Sequence, residues 1–435
     1  MRETFSSSSG FALAAIGSAV GLGNMWRFSY LTAEYGGAAF LVLYIALTVF
    51  VGIPVLLAEL SVGRGAGKGP IDAMKHFGGK RWSLLGVLFV VTGFLILSYY
   101  SVVAGWTARY GWESLVGSLP DNPASHFEQI SQGIHAVIWH LGFMAITVTI
   151  VASGIRKGIE RTSLIMMPIL FLVVLGIAFY GSTLDGAASG YRYYLDLNWK
   201  AALRIEVFTA AAGQAFFSLS LGMGAILTYA SYLKKEESIT RHALVIAVAD
   251  FGVAFLAGLM VFPLIFALGL STQIIGTVGT ENDVGSIGAL FITLPEAFKA
   301  MGSSGYWIGT LFFLALSLGA LTSAISILEV NVTSAMELLS WSRKKAALLS
   351  GVLISLVGLA PAWRIEILGI MDALAGNLFL VVGGFALSLF VGWKSIESIR
   401  NVDLSPRLRM IWIWLIRVPV PIVLSVVAFY SVMNL

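Results

Sequence analysis

The sequence predicts an all-α polytopic membrane protein of about eleven transmembrane helices, built as a 5+5 inverted repeat with helices one and six broken. Three observations predict it. Apolar residues make up 58% of the 435-residue chain and charged residues only 11%, against about 25% in an ordinary soluble domain. The apolar residues gather into stretches that meet the roughly 20 helical residues a bilayer core requires. These lie near 11–35, 39–61, 83–110, 134–153, 163–181, 207–231, 243–268, 305–335, 346–361, 366–392 and 409–433. Spans one and six, five apart, are both interrupted by glycine and polar residues, which is how inverted repeats mark a site between them. No low-complexity linker or charge block divides the chain, so 1–435 reads as a single domain. Its first repeat covers about 8–181, its second about 207–392, and an extra helix about 409–433.

This composition excludes a water-soluble globule. A mean hydropathy of +0.88 also excludes a disordered chain. With no cysteine there is no disulfide, thiolate metal site or cysteine nucleophile. The net charge of +4 bears on topology, and no nucleic-acid partner is expected. One alternate set of connections holds 19 lysines and arginines and the other holds 5. That bias places the N-terminus in the cytoplasm and, with an odd number of spans, the C-terminus outside the plasma membrane. Arg27, Arg109 and Arg417 fall inside or at the edge of spans. The opening residues MRETFSSSS carry no strong basic run and no cleavage site follows, so span one is expected to be retained.

Span one reads GFALAAIGSAVGLGNMWRF. Gly17, Gly21 and Gly23 each cost about 1 kcal/mol relative to alanine in a helix. Gly17 and Gly21 also form a GxxxG packing pair, but that does not account for Asn24 and Arg27 in the same span. Span two ends in Glu59, expected as a solvated or snorkelling charge. In span five, Gly158 and Pro168 flank Glu160, Arg161 and Thr162. Two readings stand there: a cytoplasmic half that unwinds, or a loop followed by a helix beginning near Pro168. Span six reads GQAFFSLSLGMGAILTYASY, with Ser218, Ser220, Gly222 and Gly224 at its middle. Span seven carries Asp250 at its centre, and intramembrane carboxylates mark ion or proton paths. Span eight carries Thr322 and Ser323, and span ten carries Asp372 near its start. Unwinding a span exposes backbone carbonyls that coordinate a cation, and aims half-helix N–H groups at an anion.

The motifs GLGN-x-WRF, GQ-x-FFSLSLG-x-GA-x-x-TYASY and LTSAIS resemble those of the neurotransmitter:sodium symporter family, in its bacterial amino-acid branch, over nearly the whole chain. The resemblance implies two sodium sites. The first takes the Ala19 carbonyl, Asn24, Ser218 and Asp250, completed by the substrate carboxylate. The second takes the Gly17, Val20 and Gly319 carbonyls with the Thr322 and Ser323 hydroxyls. Such all-oxygen sets suit a hard cation. The substrate carboxylate is implied to meet the N–H groups of Leu22 and Gly23 and the Tyr100 hydroxyl. Its amine is implied to meet the carbonyls of Ala19 and Phe217 and the Ser218 oxygen. Ser18, Ile96, Phe217, Ser220, Met223, Ser323 and Ile327 would line the side-chain pocket.

Members of this family that move biogenic amines have an aspartate where this chain has Gly21. Glycine leaves room for a substrate that brings its own carboxylate, and the uncharged lining implies a neutral, hydrophobic L-amino acid. Met223 is adaptable enough for both aliphatic and aromatic side chains. The resemblance further implies an outer gate of Arg27 and Asp372, lidded by Tyr100 and Phe217. It implies an inner gate of Arg2 and Glu337, supported by Phe5 and Tyr232. Chloride-dependent members have an asparagine and a serine in span seven where this chain has Asp250 and Ala254, so Asp250 is expected to supply the negative charge that chloride supplies elsewhere. Tyr44 and Gln214 would then only hydrogen-bond nearby. Ser29 stands where many members have proline, and many have a twelfth span. The oligomeric state is left open, with a monomer allowed.

The expected activity is sodium-coupled amino-acid import across the lipid bilayer. A channel or a sodium-gated receptor on the same scaffold is the rival, although no repeated filter motif is present. An enzyme is not expected. HExxH and GxSxG are absent, the five histidines show no i,i+4 pair, and GRGAGKGP lacks the phosphate-loop pattern.

Overall fold

The computed structural model describes residues 3–271, 285–395 and 402–433. Arg2, half of the expected inner gate, lies outside the described residues. Nine described helices are long and apolar enough to cross a bilayer: Ala38–Ala66, Lys80–Leu115, Gly133–Ala152, Ile155–Ser182, Ile239–Ala267, Ser303–Leu339, Arg343–Trp363, Ile365–Lys394 and Pro406–Met433. These are spans two to five and seven to eleven. Spans one and six are each two short helices. Span one is Ser8–Ala19, then a wide turn Gly23–Arg27 leading into Phe28–Glu34. Span six is Ile205–Ser218 and Ala225–Ala230.

The long connections are themselves partly helical, with Pro123–Ile130 after span three, Ala187–Leu195 after span five and Gly285–Ala300 before span eight. Span eight packs along span three and also touches spans one, five and nine. Large apolar side chains such as Leu172, Phe179 and Val248 face outward on spans five and seven. That is the surface a bilayer stabilises.

Both breaks have local causes. In span one, Val20 is extended at φ −78° and ψ 105°, and the Asn24 side chain takes the Gly21 N–H at 3.0 Å. In span six, Ser220, Gly222 and Gly224 have φ of 54°, 79° and 71°. A methyl group at Gly222 would sit 2.1 Å from the Leu380 carbonyl oxygen, so span ten presses the break against a residue with no side chain. Glu59 overturns its expected place at a solvated helix end. It is fully buried and accepts from the N–H groups of Gly222 at 2.9 Å and Leu227 at 3.1 Å. Two N–H groups orphaned by the break are thereby satisfied.

Span five begins at Ile155, earlier than its apolar stretch, and neither reading of its start is seen. A wide turn, Ile155–Glu160, runs into a helix Arg161–Ser182 that contains Pro168. The segment before span one is laced to this turn. Ser6 donates to Glu160 through its backbone at 2.8 Å and its hydroxyl at 2.6 Å. Glu3 accepts from the Ile155 N–H at 2.7 Å, and Arg156 donates to the Thr4 carbonyl at 2.9 Å. Ser8 donates to Glu237 at 2.6 Å, and that hydrogen bond, with help from His242, holds the Glu237 carboxyl below the usual carboxylate range.

Candidate functional site

The two breaks face each other across a small cavity. Its lining is Ser18, Ala19, Gly21 and Gly23 from span one, Ile96 and Tyr100 from span three, Phe217, Ser220 and Met223 from span six, and Ser323 and Ile327 from span eight. None of these carries a charge. The Ser220 hydroxyl donates to the Ser18 carbonyl at 2.7 Å and ties one break to the other. Ser18 in turn donates to Ser326 at 2.7 Å. Four spans thus converge on one pocket with backbone polar groups at its wall. Pockets that hold small molecules have this make-up.

Ten of the twelve residues expected at the substrate are in this lining. Leu22 and Ser218 are not. The Leu22 N–H donates to the Tyr100 hydroxyl at 3.2 Å, and Ser218 turns away to Asp250. At Gly21, a methyl group would lie 2.4 Å from Ser323 Oγ and 2.9 Å from the Tyr100 hydroxyl oxygen, so the cavity has no room there for a side chain.

Behind the span-one break, Asp250 gathers three donors. Asn24 donates at 2.7 Å and Ser218 at 2.7 Å, both to Oδ1, and Tyr44 donates to Oδ2 at 2.9 Å. All four residues are buried. A carboxylate at this depth needs such partners or a cation. Gln214 lies one turn before Ser218 and donates to the Gly23 carbonyl at 2.7 Å. On the other side of the break, Ser323 Oγ lies 3.3 Å from the carbonyls of both Gly17 and Ser18. Thr322 donates to the Gly319 carbonyl at 3.0 Å. Gly17 packs on Thr322 and Gly319 on Gly21, so these four residues share one seam between spans one and eight.

The outer pair departs from expectation. Arg27 and Asp372 do not bond to each other. Arg27 donates to Asn377 at 2.7 Å and Gln214 at 3.2 Å, with its guanidinium 4.7 Å over the Phe217 ring. Asp372 accepts from the Tyr99 hydroxyl at 2.8 Å. Neutral side chains on spans ten, six and three thus take up both charges. At the other end, Glu337 accepts from the Gly69 N–H at 2.9 Å. Phe5 packs edge-on against Phe11 and Tyr229, and its N–H donates to the Tyr232 carbonyl at 3.3 Å.

One cluster escaped the sequence reading. Glu329 in span eight is buried and accepts from Arg343 at 2.8 Å, Tyr232 at 2.6 Å and Thr333 at 2.9 Å. Its signal was present, because Glu329 is an intramembrane carboxylate as much as Asp250 is. Tyr99 and Asn377 carried no such signal, since neutral polar residues are common in spans. Among the described residues, no group of three or more histidine, aspartate or glutamate side chains could hold a metal ion.

Comparisons with known proteins agree with this architecture. The model of the sodium:neurotransmitter symporter family matches residues 2–132 and 121–435. An uncharacterized sodium-dependent transporter of Methanocaldococcus jannaschii is 33% identical, over 100% of this chain and 91% of that protein. The uncharacterized sodium-dependent transporter YhdH of Bacillus subtilis is 34% identical, over 97% of this chain and 96% of its own length. The crystal structure of MhsT in complex with L-phenylalanine is similar at 38% identity, with a TM-score of 0.89 over 99% of this chain and 100% of that one. The chain therefore belongs to the sodium:neurotransmitter symporter family, as a multi-pass, sodium-dependent transporter and not an enzyme.

Proposed function

We propose that this transporter imports neutral hydrophobic L-amino acids, aliphatic and aromatic, with two sodium ions per substrate and without chloride. The observation that carries this reading is the cavity between the breaks. It has no charged side chain, exposes backbone at Gly21 and Gly23, and is walled by Ile96, Phe217, Met223 and Ile327. A substrate there must bring its own carboxylate and an apolar side chain. The similarity to MhsT, whose structure contains L-phenylalanine, supports the same class.

In this reading the substrate carboxylate displaces the Leu22–Tyr100 hydrogen bond and takes both donors, with the Gly23 N–H. Its amine meets the carbonyls of Ala19 and Phe217 and the Ser218 oxygen. Sodium at the first site draws on Ala19, Asn24, Ser218 and Asp250, and replaces donors that now face the carboxylate. Sodium at the second draws on Gly17, Val20, Gly319, Thr322 and Ser323. Asp250 supplies a fixed negative charge, which removes the need for chloride. The repeats 8–181 and 207–392 move against each other, so the cavity opens alternately to each side. Arg27 and Asp372 approach at the outer end, and Glu337 with Arg2 at the inner end. The whole cavity lies within one copy of the chain, so a monomer in the plasma membrane suffices, with the N-terminus inside and the C-terminus outside.

The driving force is adequate. About 2.3 kcal/mol per charge at 100 mV and about 1.4 per tenfold gradient give roughly 7 kcal/mol for two sodium ions. The test is uptake of radiolabelled leucine and tryptophan into proteoliposomes under inward sodium, inward potassium or no gradient. Accumulation above equilibrium with sodium alone is expected. Sodium-dependent binding without accumulation would make the protein a sensor, and indifference to both amino acids would overturn the pocket reading.

A further inference from the structure

Arg417 is a charge within an apolar span, and neither the cavity nor its gates account for it. It is the twelfth residue of span eleven, Pro406–Met433. Its backbone is packed against span ten: a methyl group at Gly392 would lie 3.5 Å from Arg417 Cα and 3.0 Å from its Cγ. The side chain leaves through this seam. Nε donates to the Gly392 carbonyl, and the guanidinium carbon lies 5.4 Å from the centre of the Trp393 ring. Among the described residues no carboxylate pairs with Arg417, and its two terminal nitrogens have no protein acceptor. Trp393 is 63% exposed, and Trp414, one turn before Arg417, is 58% exposed. Lys394, beside Trp393, is exposed as well.

A guanidinium in a membrane span is stabilised by an anion, a water-filled cavity or the headgroup layer. The described residues supply no anion here. Arg417 half-emerges beside exposed tryptophans, the residues that settle at the membrane–water boundary. A guanidinium presents a planar pair of N–H donors that matches two phosphate oxygens. Lys394 adds a second positive charge, which favours a headgroup carrying net negative charge and repels a choline. We propose that Arg417, Lys394 and Trp393 hold the phosphate of one anionic phospholipid in the seam between spans ten and eleven, in the leaflet that meets the Lys394 end. Basic pockets between helices at a lysine-rich membrane face recognise such lipids.

The test is native mass spectrometry of the full chain in detergent, titrated with phosphatidylglycerol or with phosphatidylcholine of the same acyl chains. The wild type is expected to retain one phosphatidylglycerol about tenfold more tightly than phosphatidylcholine. Arg417→Gln should lose that preference, and Arg417→Lys should keep part of it, because the charge remains but the paired donors do not. If Arg417→Gln does not fold, Lys394→Gln and Trp393→Leu, both at exposed positions, should each reduce the preference. Equal retention of the two lipids by the wild type would overturn the proposal and leave Arg417 snorkelling to water. An undiminished preference in Arg417→Gln would overturn it too.

Discussion

The Ser6 hydroxyl donates a 2.6 Å hydrogen bond to the carboxylate of Glu160, 154 residues further along the chain. The same carboxylate accepts from the Ser6 N–H, the Ser7 N–H and the Ser7 hydroxyl. Glu160 is buried, and a methyl group at Gly10 would touch its oxygen at 1.8 Å. Glu160 therefore joins the lead-in to span one to the start of span five, alongside the Glu3–Ile155 and Arg156–Thr4 bonds, beside the N-terminus of a helix where negative charge is favourable.

Glu160→Gln should loosen this joint. An amide offers one acceptor oxygen in place of two, so at least one donor of Ser6 or Ser7 loses its partner; both residues are exposed and water compensates in part, which leaves a cost of about 0.5–1.5 kcal/mol. Amide hydrogen exchange over residues 5–10 and 155–160 is expected to quicken by up to roughly tenfold, with spans three and eight unchanged. Exchange equal to wild type would show that the serines find other acceptors. Acid should break the neighbouring Ser8–Glu237 bond only late, since that bond depresses the Glu237 pKa. Its stabilising effect holds above the ordinary carboxylate pKa and fades only as pH falls through the depressed value.

Gly21→Asp should abolish amino-acid uptake. The new side chain would start 2.4 Å from Ser323 Oγ and 2.9 Å from the Tyr100 hydroxyl, and would place a carboxylate against the substrate's own. Gly21→Ala separates the two effects: it adds bulk without charge, and should weaken sodium-dependent leucine binding at least tenfold. Equilibrium binding of radiolabelled leucine checks both. Affinity near wild type in Gly21→Ala would mean that the cavity widens and that Gly21 does not limit its size.

Much of this was legible in the sequence, and the parts that were not share a cause. Span count and the two breaks follow from composition along the chain, because a bilayer imposes length and apolarity on every span. Most of the cavity lining was reachable because its residues on spans one, six and eight lie in or beside three short motifs; Ile96 and Tyr100 on span three followed from the family resemblance alone. What sequence could not show was pairing across the fold. Glu59 and Glu329 each lie within a span, yet their partners, Gly222 with Leu227 and Arg343 with Tyr232, are set by how helices lean together. Arg27 could not be assigned to Asn377 over Asp372 either, since those two lie little more than one turn apart on span ten.

Asp250→Asn tests the source of negative charge behind the first oxygen set. The carboxylate has donors from Asn24, Ser218 and Tyr44, and an amide there would set an N–H₂ group against at least one of them. Wild-type uptake is expected to be the same in chloride and in gluconate. The variant should lose uptake, or retain a fraction that requires chloride. A variant with wild-type uptake in both media would remove Asp250 from the account, and a chloride requirement in the wild type would do the same.

Glu59→Gln examines whether the span-six break is pre-formed by its anchor. Glu59 accepts from Gly222 and Leu227 with one oxygen each. Glutamine keeps one acceptor and turns an N–H₂ group toward the other N–H, leaving a buried donor unsatisfied at about 1–3 kcal/mol. The melting temperature should fall. That alone would follow from any structural role, so the informative quantity is the further rise in melting temperature on adding sodium and leucine. Ligand stabilisation grows with ligand concentration over Kd. If the anchor holds residues 219–224 ready for binding, the variant must order them on binding, its Kd rises, and the ligand-induced shift shrinks. A lowered melting temperature with an unchanged ligand shift would mean that Glu59 supports the helix packing and leaves the cavity as it was.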